Sequence, residues 1–253
     1  MKIIATLIVF LSLGAVAQKG SKMESTISLG ESTVKIIRQF GATNDSILFI
    51  NVHEDEQTSI DAVEKYAEDR PLNFIRLAHL KSRNVSYQLN GKEYIVDPNR
   101  IFTAKGRKAT LKKQSQFSYR AARAAKRLAN SLLTHISHEK IIIAMHNNTD
   151  VNYTIKSYLP GGDEVENTAD IHISEAWDAD DFIYTTVPAY FTKFKALDLN
   201  VILQDNEQCV NDGSLSVYCG QRNIPYINIE AQKGHFDEQL KLIDLVMHAL
   251  QEK

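Results

Sequence analysis

The stretch from Lys140 to Met145 (KIIIAM) limits what this chain can fold into more than any other. Its five consecutive apolar residues are few for a buried helix, and they lack the alternation of a strand with one wet face. They predict a strand covered on both sides, and such a strand needs helices above and below its sheet. Further strands are predicted at Ser46 to Val52 (SILFINV), Asn73 to Leu80, Tyr94 to Val96, Phe182 to Val187, Asn200 to Leu203 and Ile224 to Ile229 (IPYINI). Helical patterns lie between them, at Asp61 to Ala67, Ser118 to Ile136, Ser214 to Arg222 and Phe236 to Leu250. The alternation predicts an α/β domain with a mostly parallel or mixed sheet and helices on both faces.

Sheets of this kind bind ligands beyond the carboxyl ends of their strands. Three predicted strands deliver ionisable groups there. SILFINV runs into His53-Glu54-Asp55-Glu56, KIIIAM into His146-Asn147-Asn148-Thr149, and IPYINI into Glu230. If the three strands are neighbours, these groups converge. Two imidazoles and one carboxylate with a fourth position open form a catalytic zinc set, and a separate carboxylate, Glu230, then serves as general base and acid. The His-x-x-Glu spacing also occurs at His172/Glu175 and His235/Glu238, but only His53 follows a buried-strand pattern. Asp97-Pro98-Asn99-Arg100-Ile101-Phe102 adds a turn fixed by proline, from which Asn99 and Arg100 can clamp a carboxylate, the alternative being a surface loop with an ordinary exposed arginine.

Composition sets outer bounds. With 253 residues, 43% of them hydrophobic, the chain can build one good core, expected over residues 18–253. A net charge of -2 gives no global reason to expect a nucleic-acid partner. Lys2, the apolar run Ile3 to Leu13 and Ala15-Val16-Ala17 read as a signal peptide cleaved before Gln18. The mature chain is therefore expected to be secreted or periplasmic, with no membrane contact after cleavage. In that setting Cys209 and Cys219 are expected to form a disulfide, the alternative being two free thiols. Arg120, Arg123, Lys126 and Arg127 read as the solvated face of their helix.

Taken in order, His53-x-x-Glu56, Asp97-x-Asn99-Arg100-x-Phe102, His146-Asn147-x-Thr149 and Glu230 resemble the zinc carboxypeptidase superfamily, most of all its aspartoacylase and succinylglutamate desuccinylase branch. The resemblance implies a three-layer α/β/α sandwich around a mixed, mostly parallel sheet in a single domain. It implies zinc held by His53, Glu56 and His146, a substrate carboxylate held by Asn99 and Arg100, and Glu230 as the acid–base group. The substrate would be a small molecule or peptide with a free carboxylate, hydrolysed at the adjacent amide. The arginine that polarises the scissile carbonyl in that family falls near Lys92 here. Tyr218 or Tyr226 could offer a phenol to the substrate, and His235 a further contact. With lysine at the polarising position, a secreted binding protein on a degenerate metallohydrolase scaffold is the rival reading.

Overall fold

In the computed structural model the described residues are 21–41, 46–137, 140–149 and 153–251. The expected signal segment, residues 1–17, lies outside them. The KIIIAM run becomes β7 (Ile141–Asn148), near the middle of a nine-stranded sheet. Its partners are β1 (Lys22–Leu29), β2 (Ser32–Gln39), β3 (Ile47–Asn51), β4 (Asn73–Ala78), β8 (Thr168–His172), β9 (Phe182–Thr185), β10 (Val201–Gln204) and β11 (Tyr226–Gln232). The strand order is β1-β2-β4-β3-β7-β11-β9-β10-β8. The pairings β4/β3, β3/β7 and β7/β11 are parallel, and six of the nine strands point the same way, with β2, β9 and β10 reversed.

Strand pleating sends alternate side chains to opposite layers. Ile142 and Ala144 of β7 join one core with Leu48 and Ile50 of β3; Ile143 and Met145 join the other with Phe49. The first core is closed by α2 (Ala104–Gln114), α3 (Tyr119–Leu133) and α5 (Leu215–Gly220), the second by α1 (Gln57–Asp69), α4 (Pro188–Ala196) and α6 (Phe236–Gln251). The result is the three-layer α/β/α sandwich. Ile142, Ile143 and Met145 are fully buried, and each such side chain contributes about 1.5–3 kcal/mol through burial.

Two hairpins were not anticipated. β1 and β2 turn through Gly30-Glu31, and β5 (Val85–Leu89) pairs with β6 (Lys92–Val96) through Asn90-Gly91. Asn90 and Gly91 both have positive φ, 53° and 69°, as a two-residue hairpin turn requires. The predicted helix at Ser214 to Arg222 contracts to α5, and that at Asp61 to Ala67 extends to α1. Among the described residues no helix is long and apolar enough to cross a membrane.

Candidate active site

β3, β7 and β11 are adjacent, so their carboxyl ends bring the expected groups to one edge of the sheet. Asn51 ends β3, and its amide donates to the Met145 carbonyl (3.0 Å) and to Ser59 Oγ (2.9 Å), which ties the strand exit to β7 and α1. Two residues on, His53 turns back: its carbonyl accepts from the Glu56 N–H, and Glu56 stands at the head of α1. The His-x-x-Glu spacing is therefore a tight turn into a helix. His146 and Glu230 are each the third residue from the end of their strands and are paired in register.

Glu56 sits between the two imidazoles. His53 Nδ1 is 2.8 Å from its Oε1, and His146 Nδ1 is 2.9 Å from its Oε2. One donor atom from each of His53, Glu56 and His146 lies within 4.8 Å of the others, and all three residues are buried. Asp97 Oδ1 is 2.9 Å from His53 Nε2 and also accepts from the Asn99 N–H, so one carboxylate orients the imidazole and starts the turn that carries Asn99 and Arg100. Behind β7, Asn147 accepts from the Ser59 N–H and donates to Gln239 of α6, while Gln239 donates to the His146 carbonyl.

Burial alone would neutralise His53 and Glu56, but their neighbours outweigh it. Burial disfavours charge on His53, yet Glu56 and Asp97 raise its pKa to about 9. Burial likewise pushes Glu56 up, but His53 and His146 hold it well below the usual carboxylate range. For Glu230 burial wins: its carboxyl is raised, with Glu56 adding to the shift and His146 opposing it. Asn228 donates to Glu230 Oε2 at 2.9 Å. Two imidazole nitrogens and a carboxylate, buried and edged by an open cleft, are a donor set that fits a divalent ion such as zinc.

The cleft has a volume of about 470 Å³, and Glu56, Arg83, Asn99, Arg100, His146 and Glu230 all line it. Asn99 Oδ1 accepts from the Leu215 N–H, and Arg100 pairs through Nε with Asp212 at 3.1 Å. Gly106 makes this clamp possible. A Cβ there would lie 2.3 Å from Gly213 Cα and 2.6 Å from the Arg100 carbonyl oxygen, so only glycine lets α2 approach so closely.

Four expectations are corrected. Lys92 does not reach the cleft: it opens β6, exposed, at the turn of the separate hairpin. Arg83 lines the cleft instead, donating from Nη1 to Glu56 Oε1 at 2.6 Å. It lies five residues beyond β4, in an irregular loop. Its loop bends through Leu80 and Lys81, both at positive φ, and Glu54 accepts from the backbone N–H groups of His79 and Lys81 to hold it. Tyr218 is also away from the cleft, packed on Phe102 and beneath Arg222. Tyr226 lines the cleft instead, with Tyr153, Tyr158 and Tyr184, which no spacing in the sequence announced. His235 faces a separate shallow pocket and pairs with Asp181 at 3.1 Å. Cys209 and Cys219 are free thiols, the latter buried in α5.

No family model and no curated protein matches the chain. Among solved structures it is similar to an aspartoacylase family protein from Mesorhizobium loti, at 17% identity over 95% of this chain and 71% of the other, with a TM-score of 0.48. It is similar to the murein-tripeptide amidase MpaA from Escherichia coli O157, at 14% identity over 87% and 88% of the two chains, TM-score 0.48. A third is succinylglutamate desuccinylase from Vibrio parahaemolyticus, at 13% identity over 91% and 77%, TM-score 0.43.

Proposed function

We propose that this chain is a zinc-dependent hydrolase of amide bonds next to a free carboxylate, acting outside the cytoplasm on a small-molecule or peptide substrate. The observation that carries the reading is the meeting of His53, Glu56 and His146 around one point, with Glu230 paired in register with His146 on the next strand. Zinc in that set supplies Lewis acidity, which polarises a carbonyl and acidifies water. The chain's own groups do the rest. Asn99 and Arg100 hold the substrate carboxylate and so place the amide. Arg83 presents a guanidinium where negative charge develops on the carbonyl oxygen. Glu230, its pKa raised by burial, takes a proton from water and passes it to the leaving amine. Burial keeps the phenols of Tyr153 and Tyr226 protonated, as donors. Arg83 in the cleft weighs against the non-catalytic binding protein, whose best support was a missing carbonyl-polarising arginine.

The direct test is a panel of N-acyl amino acids and C-terminal peptides, assayed with and without a chelator. Hydrolysis that needs a free carboxylate and is lost on chelation is the expected result. No hydrolysis by zinc-loaded protein across the panel would sink the reading. Arg100→Ala is expected to raise KM by about 10- to 100-fold with kcat little changed, as for a lost charge-assisted bond. A matching fall in kcat would move Arg100 into the chemical step.

Metal uptake should depend on pH. Metal-free His53 has its pKa raised from 6.5 to about 9, so at pH 7 it carries a proton that a metal ion must displace. Affinity is expected to rise roughly tenfold per pH unit until about pH 9. The sign for stability is the reverse: the charged His53 stabilises the metal-free chain fully below pH 6.5, and that contribution is lost as pH rises through about 9. Calorimetry in buffers of different ionisation enthalpy reads the proton release; a pH-independent affinity would contradict it. For export, the expected result is a mature chain beginning at Gln18, read by N-terminal sequencing of protein recovered outside the cytoplasm. An intact Met1 there would contradict cleavage.

A further inference from the structure

Between Asp97 and Glu139 the sequence contains no acidic residue, yet this stretch holds ten of the 29 basic side chains. A merely solvated helix face mixes both signs; this one does not. The rest of the chain carries all 31 acidic residues, so the molecule is polarised although its net charge is small. Lys105, Lys108 and Lys112 form one exposed row on α2, and Arg120, Arg123 and Arg127 another on α3, with Lys113 and Lys126 exposed beside them. The i, i+3, i+7 spacing puts each row on one helix face. Among the described residues none of the eight pairs with a carboxylate. The opposite faces of both helices are buried against the same core, through Leu111 and through Ala121, Ala124 and Leu128.

An aromatic pair joins the two rows. Phe117 lies in the link between the helices, with the Lys108 ammonium 5.9 Å from its ring, and meets Tyr119 edge-on at 5.2 Å. Tyr119 is 80% exposed, which puts a large amphipathic ring outside the fold on the face that carries the cations. Exposed aromatic rings among lysines and arginines suit the headgroup layer of an anionic bilayer, where the ring sits at the interface and the cations meet lipid phosphates. Single-stranded nucleic acid instead needs a groove with stacking platforms, and neither described pocket is lined by α2 or α3.

We propose that the outer face of α2 and α3 docks the protein on an anionic lipid surface. The contact is peripheral, which departs from the expectation of no membrane partner without requiring a span. It is independent of the hydrolytic reading, but α2 starts at Ala104, four residues after Arg100, so docking would hold the clamp end of the cleft near the bilayer.

The test is co-sedimentation of the full chain with phosphatidylcholine vesicles, alone or with about one third phosphatidylglycerol. Stronger binding to the anionic vesicles, weakening with salt, is expected. K112E/K113E/R123E/K126E should lower that affinity by at least about 100-fold, with an unchanged melting temperature and unchanged hydrolysis of a soluble substrate. Tyr119→Ala should lower it severalfold without altering the salt dependence. Equal binding to both vesicles that survives charge reversal belongs to the apolar N-terminus and overturns the proposal. So does tighter binding to duplex DNA than to anionic vesicles at the same salt, which would make the partner a nucleic acid.

Discussion

Glu230→Gln is expected to retain one equivalent of metal and to lose about 10²- to 10⁴-fold in kcat, the range for a general acid–base group. The substitution keeps the shape and the hydrogen-bonding reach of the side chain, including its contact with Asn228. It removes the one property the reaction needs there, a carboxylate able to accept a proton and return it. Glu230 is suited to that exchange because burial raises its pKa, which moves its proton affinity towards that of a group working near neutral pH. Metal analysis beside steady-state kinetics separates the outcomes. Normal metal content with turnover within tenfold of the parent would remove Glu230 from the chemistry, whereas lost metal would make it a ligand.

The second large effect is expected at Glu56. This carboxylate accepts from Arg83 and bridges His53 and His146. Glu56→Gln leaves the buried His53 imidazolium facing a neutral amide and takes the carboxylate partner from the half-exposed Arg83. Breaking a buried ion pair on one side costs about 3–5 kcal/mol, so the metal-free variant should unfold at much lower urea than the metal-free parent. It should also fail to hold zinc, because an amide oxygen replaces an anionic ligand, and turnover should vanish with the metal. Unfolding midpoints of chelated samples and metal content of untreated ones read the two effects separately. A variant as stable as its parent that still binds zinc stoichiometrically would place the ion elsewhere.

The centre of this fold was legible because its strands are buried on both faces. Ile141 to Met145 and Tyr226 to Ile229 have no choice of environment, and the residues that follow them necessarily face the sheet's edge. β1 was not legible for the opposite reason: Lys22 to Thr26 are exposed, so no apolar run marks it. α2 was missed because it buries only Gly106, Thr110 and Leu111, too little for a helical stripe. The metal set could be read because each member stands at or just beyond a strand end. Arg83 belongs to an irregular loop with no period of its own, and counting along the chain pointed instead to Lys92, which the hairpin carries away from the cleft. The tyrosine wall joins β9, β11 and the segment after β7, a grouping that only the folded chain assembles.

Pleating at β7 has one more consequence. His146 looks into the cleft, while its neighbour Asn147 is bonded behind the sheet to Gln239, a fully buried residue of α6 that also holds the His146 carbonyl. The aim of an imidazole is thereby set from the rear wall of the molecule, by a helix that takes no part in lining the cleft. If the proposed metal site is right, substitutions at Gln239 are a starting point for retuning its affinity that leaves every cleft-facing side chain intact.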